Sequence, residues 1–413
     1  MSTAPVTVVG IGVDGWDGLG PAARQAVAAA AVVMGSDRQR RLVAGHHHAD
    51  EVDLPKPLRE RLTAEVDEHA DRGLVVLASG DPMHYGIGRT LVELLGAERV
   101  HVVPHASSMS LACARMGWPL EDVTIVSVVG RPLEALALAV RPGRRLLVLS
   151  ADSGTPGEVA ALLRRLGLGD SRLSVLDDLG GPGERRVDGV AATWSAKPGS
   201  ELNIVAVDVR PDQEPPRLAV VPGLPDEVYD SDGQLTKRHV RAATLATLAP
   251  APGELLWDVG GGSGSIAIEW MRADPTCTAV TVEPHLDRVA RIRRNARTLG
   301  VPGLQVVPGS APGALVGLPP PDAVFIGGGL TQVGVVDAVL AALRPGGRLV
   351  ANTVTLESEA VLVDLFRRLG GTLTRLEVST ADAVGSFAAW RPARPVTQWS
   401  WVAPDPVVTQ DDP

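Results

Sequence analysis

The sequence predicts an α/β protein of two domains, and three observations carry that prediction. Short β-branched and aliphatic runs alternate along the whole chain with Ala- and Leu-rich stretches of helical length, the pattern of sheets covered by helices. Residues 210–225 are dense in proline and charge, the composition of a connection between domains. In each half, a β-branched run meets glycines that open towards a helical stretch, where α/β sheets approach ligands most closely.

At 413 residues the chain has length for two or three cores. Aromatic content of 3% means that those cores are built from Val, Leu, Ile and Ala. Cys113 and Cys277 are far apart, so they make neither a disulfide framework nor a ligand cluster, and a reducing compartment is expected. A net charge of −9 argues against a nucleic-acid partner. The first residues lack a basic stretch before an apolar one, and the apolar run 26–34 is too short to span a bilayer. A soluble, cytoplasmic protein without a membrane partner is expected.

The first domain is expected over residues 1–212. Its strands are read at 6–9, 74–78, 100–103, 124–129, 145–150, 173–176 and 202–209, and its helices at 21–31, with Pro21 at the first helical position, and 110–116. A linker follows at 213–222, then a second domain over 223–405. There the spacing predicts helices at 236–248, 265–272, 285–299 and 332–343, the last stopped by Arg344-Pro345-Gly346-Gly347. Strands are read at 255–259, 279–283, 305–307, 323–326 and 348–352, with 373–378 and 399–402 an antiparallel pair at the sheet edge. The polar, acidic stretch 406–413 is expected to be disordered. No repeat of solenoid period occurs.

Gly260, Gly261, Gly262, Ser263 and Gly264 stand between a predicted strand and a helix. The spacing is Gly-x-Gly-x-Gly, and a dinucleotide fingerprint would want Gly or Ala where Ser265 stands. Glu283 ends the next strand, where a carboxylate can accept hydrogen bonds from ribose hydroxyls. Loop and acid together resemble motifs I and II of class I S-adenosylmethionine (SAM) methyltransferases. Thr236-Lys237 and the stretches WDVGGGSGSIAIE, GSAPGAL, PDAVFIGGG and RPGGRLVANTVTLE extend the resemblance, over 223–402, to the precorrin C15-methyltransferase and decarboxylase family. That resemblance implies a SAM pocket lined by Thr236, Gly260 to Gly264, Glu283, Ser310 and Ala311. The family often carries acids where Ser310 and Gly313 stand here.

In the first half, Gly10, Gly12 and Asp14, then Gly80, Asp81 and Pro82, then Ser107 and Ser108 stand out. By themselves they are equally well a turn, a capping aspartate and helix-capping serines. With ASGDPMHYGIGRTL, SSMSLACARMGWPLEDV, VVGRPLEAL and DDLGGPGERR they resemble the class III tetrapyrrole methyltransferases, nearest the precorrin C5 type, over 6–209. The resemblance implies two small α/β lobes with SAM and substrate between them, and those eight residues at SAM. Arg131 is then a candidate carboxylate clamp, or a surface arginine.

Jointly, the resemblances imply a two-lobed class III tetrapyrrole methylase fold followed by a class I Rossmann-like fold. The implied enzyme is a decarboxylating C-methyltransferase of cobalamin biosynthesis with one SAM site per domain. It would methylate precorrin-6B at C5 and C15 and decarboxylate the C12 acetate, giving precorrin-8X; a homo-oligomer is expected. A cobalt-containing substrate stays open, with the metal-free one preferred. Such a polycarboxylate needs cations, and Lys237, Arg238, His239 and Arg241 cluster in the helix before the glycine loop. Lys237 and Arg241 are the candidate substrate contacts, against a solvated helix face.

No catalytic residue is assigned, because a sulfonium methyl group is already activated and a reduced tetrapyrrole carbon is nucleophilic by itself. His46-His47-His48 lacks a spaced partner ligand and reads as a solvated loop, so no metal is expected. Three rivals remain. An RNA or protein methyltransferase with a regulatory first half is disfavoured by the acidic balance and the lack of an Asn/Asp-Pro-Pro-Tyr motif. A non-catalytic SAM sensor is the second, and an NAD enzyme, disfavoured by the loop spacing, the third.

Overall fold

The computed structural model describes residues 4–212 and 218–404. The expected tail at 406–413 and residues 213–217 of the expected linker lie outside the described residues. The chain forms two compact units, Met1–Leu133 with Ala139–Gln213, and Glu134–Leu138 with Glu214–Pro413. The short stretch 134–138, read from sequence as part of the first domain, groups with the second unit, where Leu138 packs against the core.

The first unit holds two sheets. Strands β1 (Val6–Ile11), β2 (Val32–Gly35), β3 (Asp50–Asp53), β4 (Leu74–Ser79) and β5 (Val100–Val103) are all parallel, in the order β3-β2-β4-β1-β5. Central β1 and β4 are buried almost throughout, which is why they read as unbroken aliphatic runs. The second sheet has β6 (Val123–Ser127), β7 (Arg145–Leu149), β8 (Arg172–Asp177), β9 (Arg185–Val190) and β10 (Asn203–Asp208), in the order β6-β7-β10-β8-β9. Only its β6–β7 pair is parallel. Helix Ser108–Met116 leaves the first sheet and lays Met109, Ala112 and Cys113 against Leu147, Leu176 and Ile204 of the second.

The second unit is a seven-stranded sheet. It contains β11 (Leu255–Val259), β12 (Thr278–Glu283), β13 (Gln305–Pro308), β14 (Ala323–Ile326), β15 (Arg348–Thr353), β16 (Thr372–Leu376) and, beyond the hairpin β17 (Ser379–Val384) and β18 (Phe387–Pro392), β19 (Val396–Val402). The order is β13-β12-β11-β14-β15-β19-β16, parallel except for β19, which runs antiparallel to both β15 and β16. The antiparallel pair expected from sequence forms, with Leu373 opposite Trp399, but only β16 is at the edge. β19 is interior because it carries Trp399, fully buried, whose indole N–H donates to the Gly370 carbonyl (2.9 Å). One sheet face packs Leu256, Ala279 and Phe325 with Leu245, Trp270 and Ile292; the other packs Val259, Val280 and Ile326 with Val335, Leu362 and Trp399. No described helix is long and apolar enough to cross a membrane.

A buried ion pair locks the entry segment of this unit. Arg241 has no exposed surface and donates through Nε to Glu269 (2.6 Å), itself buried. The guanidinium also reaches Asp226 (3.1 Å) and the carbonyls of Leu224 and Thr236, and it lies over the Tyr229 ring. Glu269 accepts further bonds from the amides of Gly223 and Leu224 and from the Tyr229 hydroxyl. Burial and the neighbouring Glu269 carboxylate hold the Tyr229 hydroxyl well above its usual pKa, so it stays a donor.

Removing the charge of one partner leaves the other buried and uncompensated. Glu269→Gln is expected to destabilise the second unit by roughly 3–5 kcal/mol, against under about 1 kcal/mol for Arg344→Gln in the half-exposed Arg344–Asp322 pair. Urea titration of the full chain, read by tryptophan fluorescence, checks the contrast.

Candidate active site

A cavity of about 810 Å³ opens at the carboxyl ends of β11, β12, β14 and β15. The chain direction of strand addition reverses between β11 and β14, so the loops that follow them diverge and leave a crevice. Both loops are glycine runs, Gly260 to Gly262 after β11 and Gly327 to Gly329 after β14. Gly260 has φ +78°, and a Cβ on it would stand 2.7 Å from the Gly328 nitrogen. The two loops thus touch backbone to backbone at this point beside the cavity, and a side chain on Gly260 would force them apart.

Glu283 ends β12 and is 2% exposed. Its Oε2 accepts the Gly262 amide (2.9 Å) and its Oε1 the His285 amide (3.1 Å), with the Arg288 guanidinium 3.9 Å away. The carboxylate is thus aimed by the backbone, with acceptor capacity left on both oxygens. Above it runs the segment 230–237. Asp230 and Asp232 pair with Arg288, Arg291 and Arg294 of helix Leu286–Thr298. Asn295 bonds both the amide and carbonyl of Asp230 and the Ser263 carbonyl, tying this segment to the glycine loop. The Arg288 hydrogen bond keeps the Asp232 carboxyl far below the usual range.

Thr236, Lys237, Gly260, Gly261, Gly262, Glu283, Ser310 and Ala311, separated in sequence, all line this one cavity. Ser263 and Gly264 do not. Ser263 is buried behind the loop, and Gly264, at φ +77°, starts helix Ser265–Ala273 where a Cβ would stand 2.7 Å from Ile292 Cγ2. Arg241 corrects the sequence reading outright. With no exposed surface and its donors taken up by Glu269, Asp226 and two carbonyls, it reaches no substrate. The predicted helix from residue 236 begins at Arg238, so Lys237 is its N-cap and stays exposed at the cavity.

In the first unit, the three predicted pieces converge at the carboxyl ends of β1, β4 and β5. Gly80 has φ +57°, and its amide donates to the Ile11 carbonyl (2.9 Å). A Cβ on Gly10 would run into the Gly80 carbonyl, and one on Gly80 would lie 3.4 Å from the Ser107 Cα. Asp81 accepts the Met83 amide (2.8 Å), and Ser107 caps helix Ser108–Met116 through the Ser110 amide (3.1 Å). Both side chains therefore perform the capping that their residue types allow. The Pro82 carbonyl packs against Gly86 and Gly88, and the Ser108 hydroxyl lies 3.4 Å from the Met109 sulfur. Asp14 lies 3.4 Å from His105. Arg131 is exposed, with its guanidinium 5.5 Å from the Tyr85 ring centroid.

Sequence reasoning assigned nothing to Asp258, Gly327 to Gly329, Arg394 or His105. The triple glycine after β14 was the available signal; a lone arginine or histidine offers none. His46 is held by stacking on Trp16 (4.3 Å between centroids), and His47 Nδ1 accepts the Ala49 amide, so the triplet is more ordered than a solvated loop. Among the described residues, the group with metal-ligand spacing is Glu65, Glu68 and His69 on one helix, not this triplet.

Two sheet systems, each with glycine turns at its strand ends and the second with a cavity there, match two methyltransferase families in succession. Residues 5–194 match the tetrapyrrole (corrin/porphyrin) methylases, and residues 227–403 the precorrin methyltransferase domain. The chain belongs to the family of precorrin-6Y C(5,15)-methyltransferases [decarboxylating]. A member from Sinorhizobium sp is 49% identical over 396 residues, 96% of each chain. One from Mycobacterium tuberculosis is 45% identical over 398 residues, 96% of this chain and 99% of the relative. A cobalt-precorrin-7 C(5)-methyltransferase from Salmonella typhimurium is 32% identical over 189 residues, 44% of this chain and 88% of the relative.

Asp258, at the floor of the cavity, makes the stability of the fold pH-dependent. Complete burial pushes its carboxyl up to about 7, opposed by the Ala267 amide and the Thr281 hydroxyl. The folded state then holds a proton that the unfolded chain has lost, so the contribution is present below about pH 4 and disappears as pH rises through about 7. Asp258→Asn does not titrate. Its stability relative to wild type is expected to rise by up to ~4 kcal/mol between pH 4 and pH 8, in denaturant titrations at each pH.

Proposed function

We propose that the chain converts precorrin-6B to precorrin-8X by two methylations and one decarboxylation. Residues 1–212 methylate C5; residues 223–405 methylate C15 and remove the carboxyl of the C12 acetate. The observation that carries this reading is the likeness, over 96% of the chain, to decarboxylating C5,15-methyltransferases, together with glycine turns at the strand ends of both units and a cavity at those of the second. The metal-free substrate is preferred because the full-length relatives are named for a precorrin, whereas the cobalt-precorrin relative aligns with 44% of the chain.

Each unit is proposed to hold one SAM. The residues fit it: Glu283 keeps acceptor capacity for two ribose hydroxyls, and Gly260 to Gly262 let the ligand approach the backbone. In the first unit, Gly10, Gly12, Asp14, Gly80, Asp81, Pro82, Ser107 and Ser108 would form the corresponding cradle. When bound, SAM supplies an activated methyl group, so the protein's task is to orient donor and acceptor and to exclude water.

The basic and apolar lining of the second unit's cavity suits a polycarboxylate. Helix Arg238–Leu248 has no side-chain N-cap, and its first turn faces the cavity beside exposed Lys237. Anions are favoured there by the free amides and by the dipole. Arg394 also lines this cavity, as do Leu376, Val378 and Val396, and has no ion-pair partner among the described residues. Lys237 and Arg394 are proposed to hold two substrate carboxylates, with the apolar lining of Leu376, Val378 and Val396 taking the acetate that is lost. Arg131 is kept as a carboxylate contact of the first unit. A cytoplasmic homo-oligomer is also proposed; the exposed hairpin β17–β18, with Phe387 and Trp390 on its surface, supports self-association.

Incubation with precorrin-6B and SAM carrying a labelled methyl is expected to add two labelled methyls and remove one carbon dioxide, read by product mass. Binding of SAM with no change in the tetrapyrrole, metal-free or cobalt-containing, would refute the reading. Lys237→Ala and Arg394→Ala are each expected to raise the tetrapyrrole KM on the order of tenfold with SAM affinity unchanged. Glu283→Ala is expected to weaken SAM binding at one of two sites, by calorimetric titration.

A further inference from the structure

His105 lies two residues beyond the end of β5, and its imidazole sits against the loop that leaves β1. The chain clears space for it. A Cβ on Gly10 would stand 2.8 Å from the His105 nitrogen and 3.0 Å from its Cβ, and one on Gly12 would stand 2.7 Å from Nε2. A Cβ on Gly18 would collide with the carboxylate of Asp14. Three glycines thus surround an Asp–His pair at the carboxyl edge of a parallel sheet, where ligands of such sheets lie.

Nε2 is 3.4 Å from Asp14 Oδ1, and that oxygen is buried without a hydrogen-bond partner. The imidazole is 12% exposed at the side chain, and its Nδ1 has no partner among the described residues. A carboxylate that faces one nitrogen fixes the tautomer with the other nitrogen free to accept a proton, and it stabilises the imidazolium that results.

We propose that His105 is the base of the methylation carried out by the first unit, with Asp14 as its positioning residue. This rests on the assignment of C5 methylation to that unit. The C5 carbon gives an electron pair to the methyl carbon, forming a carbon–carbon bond. The carbon–sulfur bond breaks and leaves its pair on sulfur. The macrocycle, now one positive charge richer, sheds a proton, which His105 Nδ1 accepts and passes to solvent. The reaction of the second unit differs in its proton balance. Its methylation also releases a proton, but loss of carbon dioxide from a carboxylate leaves an electron pair that takes one up. Net proton release thus falls on the C5 step alone.

The test uses the full chain, precorrin-6B and labelled SAM. His105→Gln is expected to yield a decarboxylated product with one labelled methyl, the C5 step falling ~10²–10⁴-fold. Calorimetry should still find two SAM sites of wild-type affinity, and added imidazole should partly restore the second methyl to His105→Ala. Asp14→Asn should slow the same step. Wild-type rates of double methylation in His105→Gln would overturn the proposal. So would loss of a SAM site or loss of both methyls, since either makes His105 structural. If the wild-type chain transferred no methyl, the substrate reading itself would fall, and this role with it.

Discussion

The Arg241–Glu269 pair is the constraint on which the cavity of the second unit depends. A charge pair without solvent contact survives only when nearly every donor and acceptor is matched, and here the matches come from the backbone of the entry segment. The amides of Gly223 and Leu224 and the carbonyls of Leu224 and Thr236 are the counter-groups. The pair cannot form unless residues 223–236 lie in one path, and that path brings Gln234, Leu235 and Thr236 to the cavity. The exposed ion pairs of Asp230 and Asp232 with helix Leu286–Thr298 refine the path, but exposed pairs alone fix little. Asn295 is the more effective tie, since it is buried and bonds both sides of the same residue.

That path explains how a carboxylate and a floor aspartate coexist. Glu283 is aimed by two backbone amides and has Arg288 within 3.9 Å, so it sits among positive partners. Asp258 lies deeper, fully buried, with Thr281 and the Ala267 amide and with Glu283 as a like charge. The two acids of this cavity differ in their surroundings: Glu283 is held by two backbone amides, and Asp258 is held towards its neutral form. A polar floor of that kind bonds the helix that follows the glycine loop, which keeps the loop from collapsing into the crevice.

The central strands and the glycine loops were legible because burial on both faces and close backbone approach each leave a compositional mark. β4, β5, β11 and β14 fall within one or two residues of their predicted limits. β3 and β9 were not legible, being edge strands whose polar residues alternate weakly, and β2 was hidden within an apolar run read only for its length. The site residues divide the same way. Glycines and the strand-end Glu283 announce themselves, but a basic residue in a cluster does not reveal which face it takes. Arg241 and Lys237 are four apart, and one is the buried hub while the other stands at the cavity. Only the tertiary position of Glu269, on the next helix, decides between them.

The two units treat the carboxyl ends of their parallel strands differently. In the second, a carboxylate is presented on a strand end and glycines flank it. In the first, the polar side chains at the strand ends are already engaged: Asp81 and Ser107 hold backbone amides, and each fixes a loop rather than offering itself to a ligand. Those caps fix the loop backbones, and glycines dominate the motif because the loops approach one another closely there. The exception is Asp14, whose buried oxygen is spared from capping and faces an imidazole instead. The glycines at 10, 12 and 18 leave room for that pair, since a Cβ on any of them would meet His105 or Asp14.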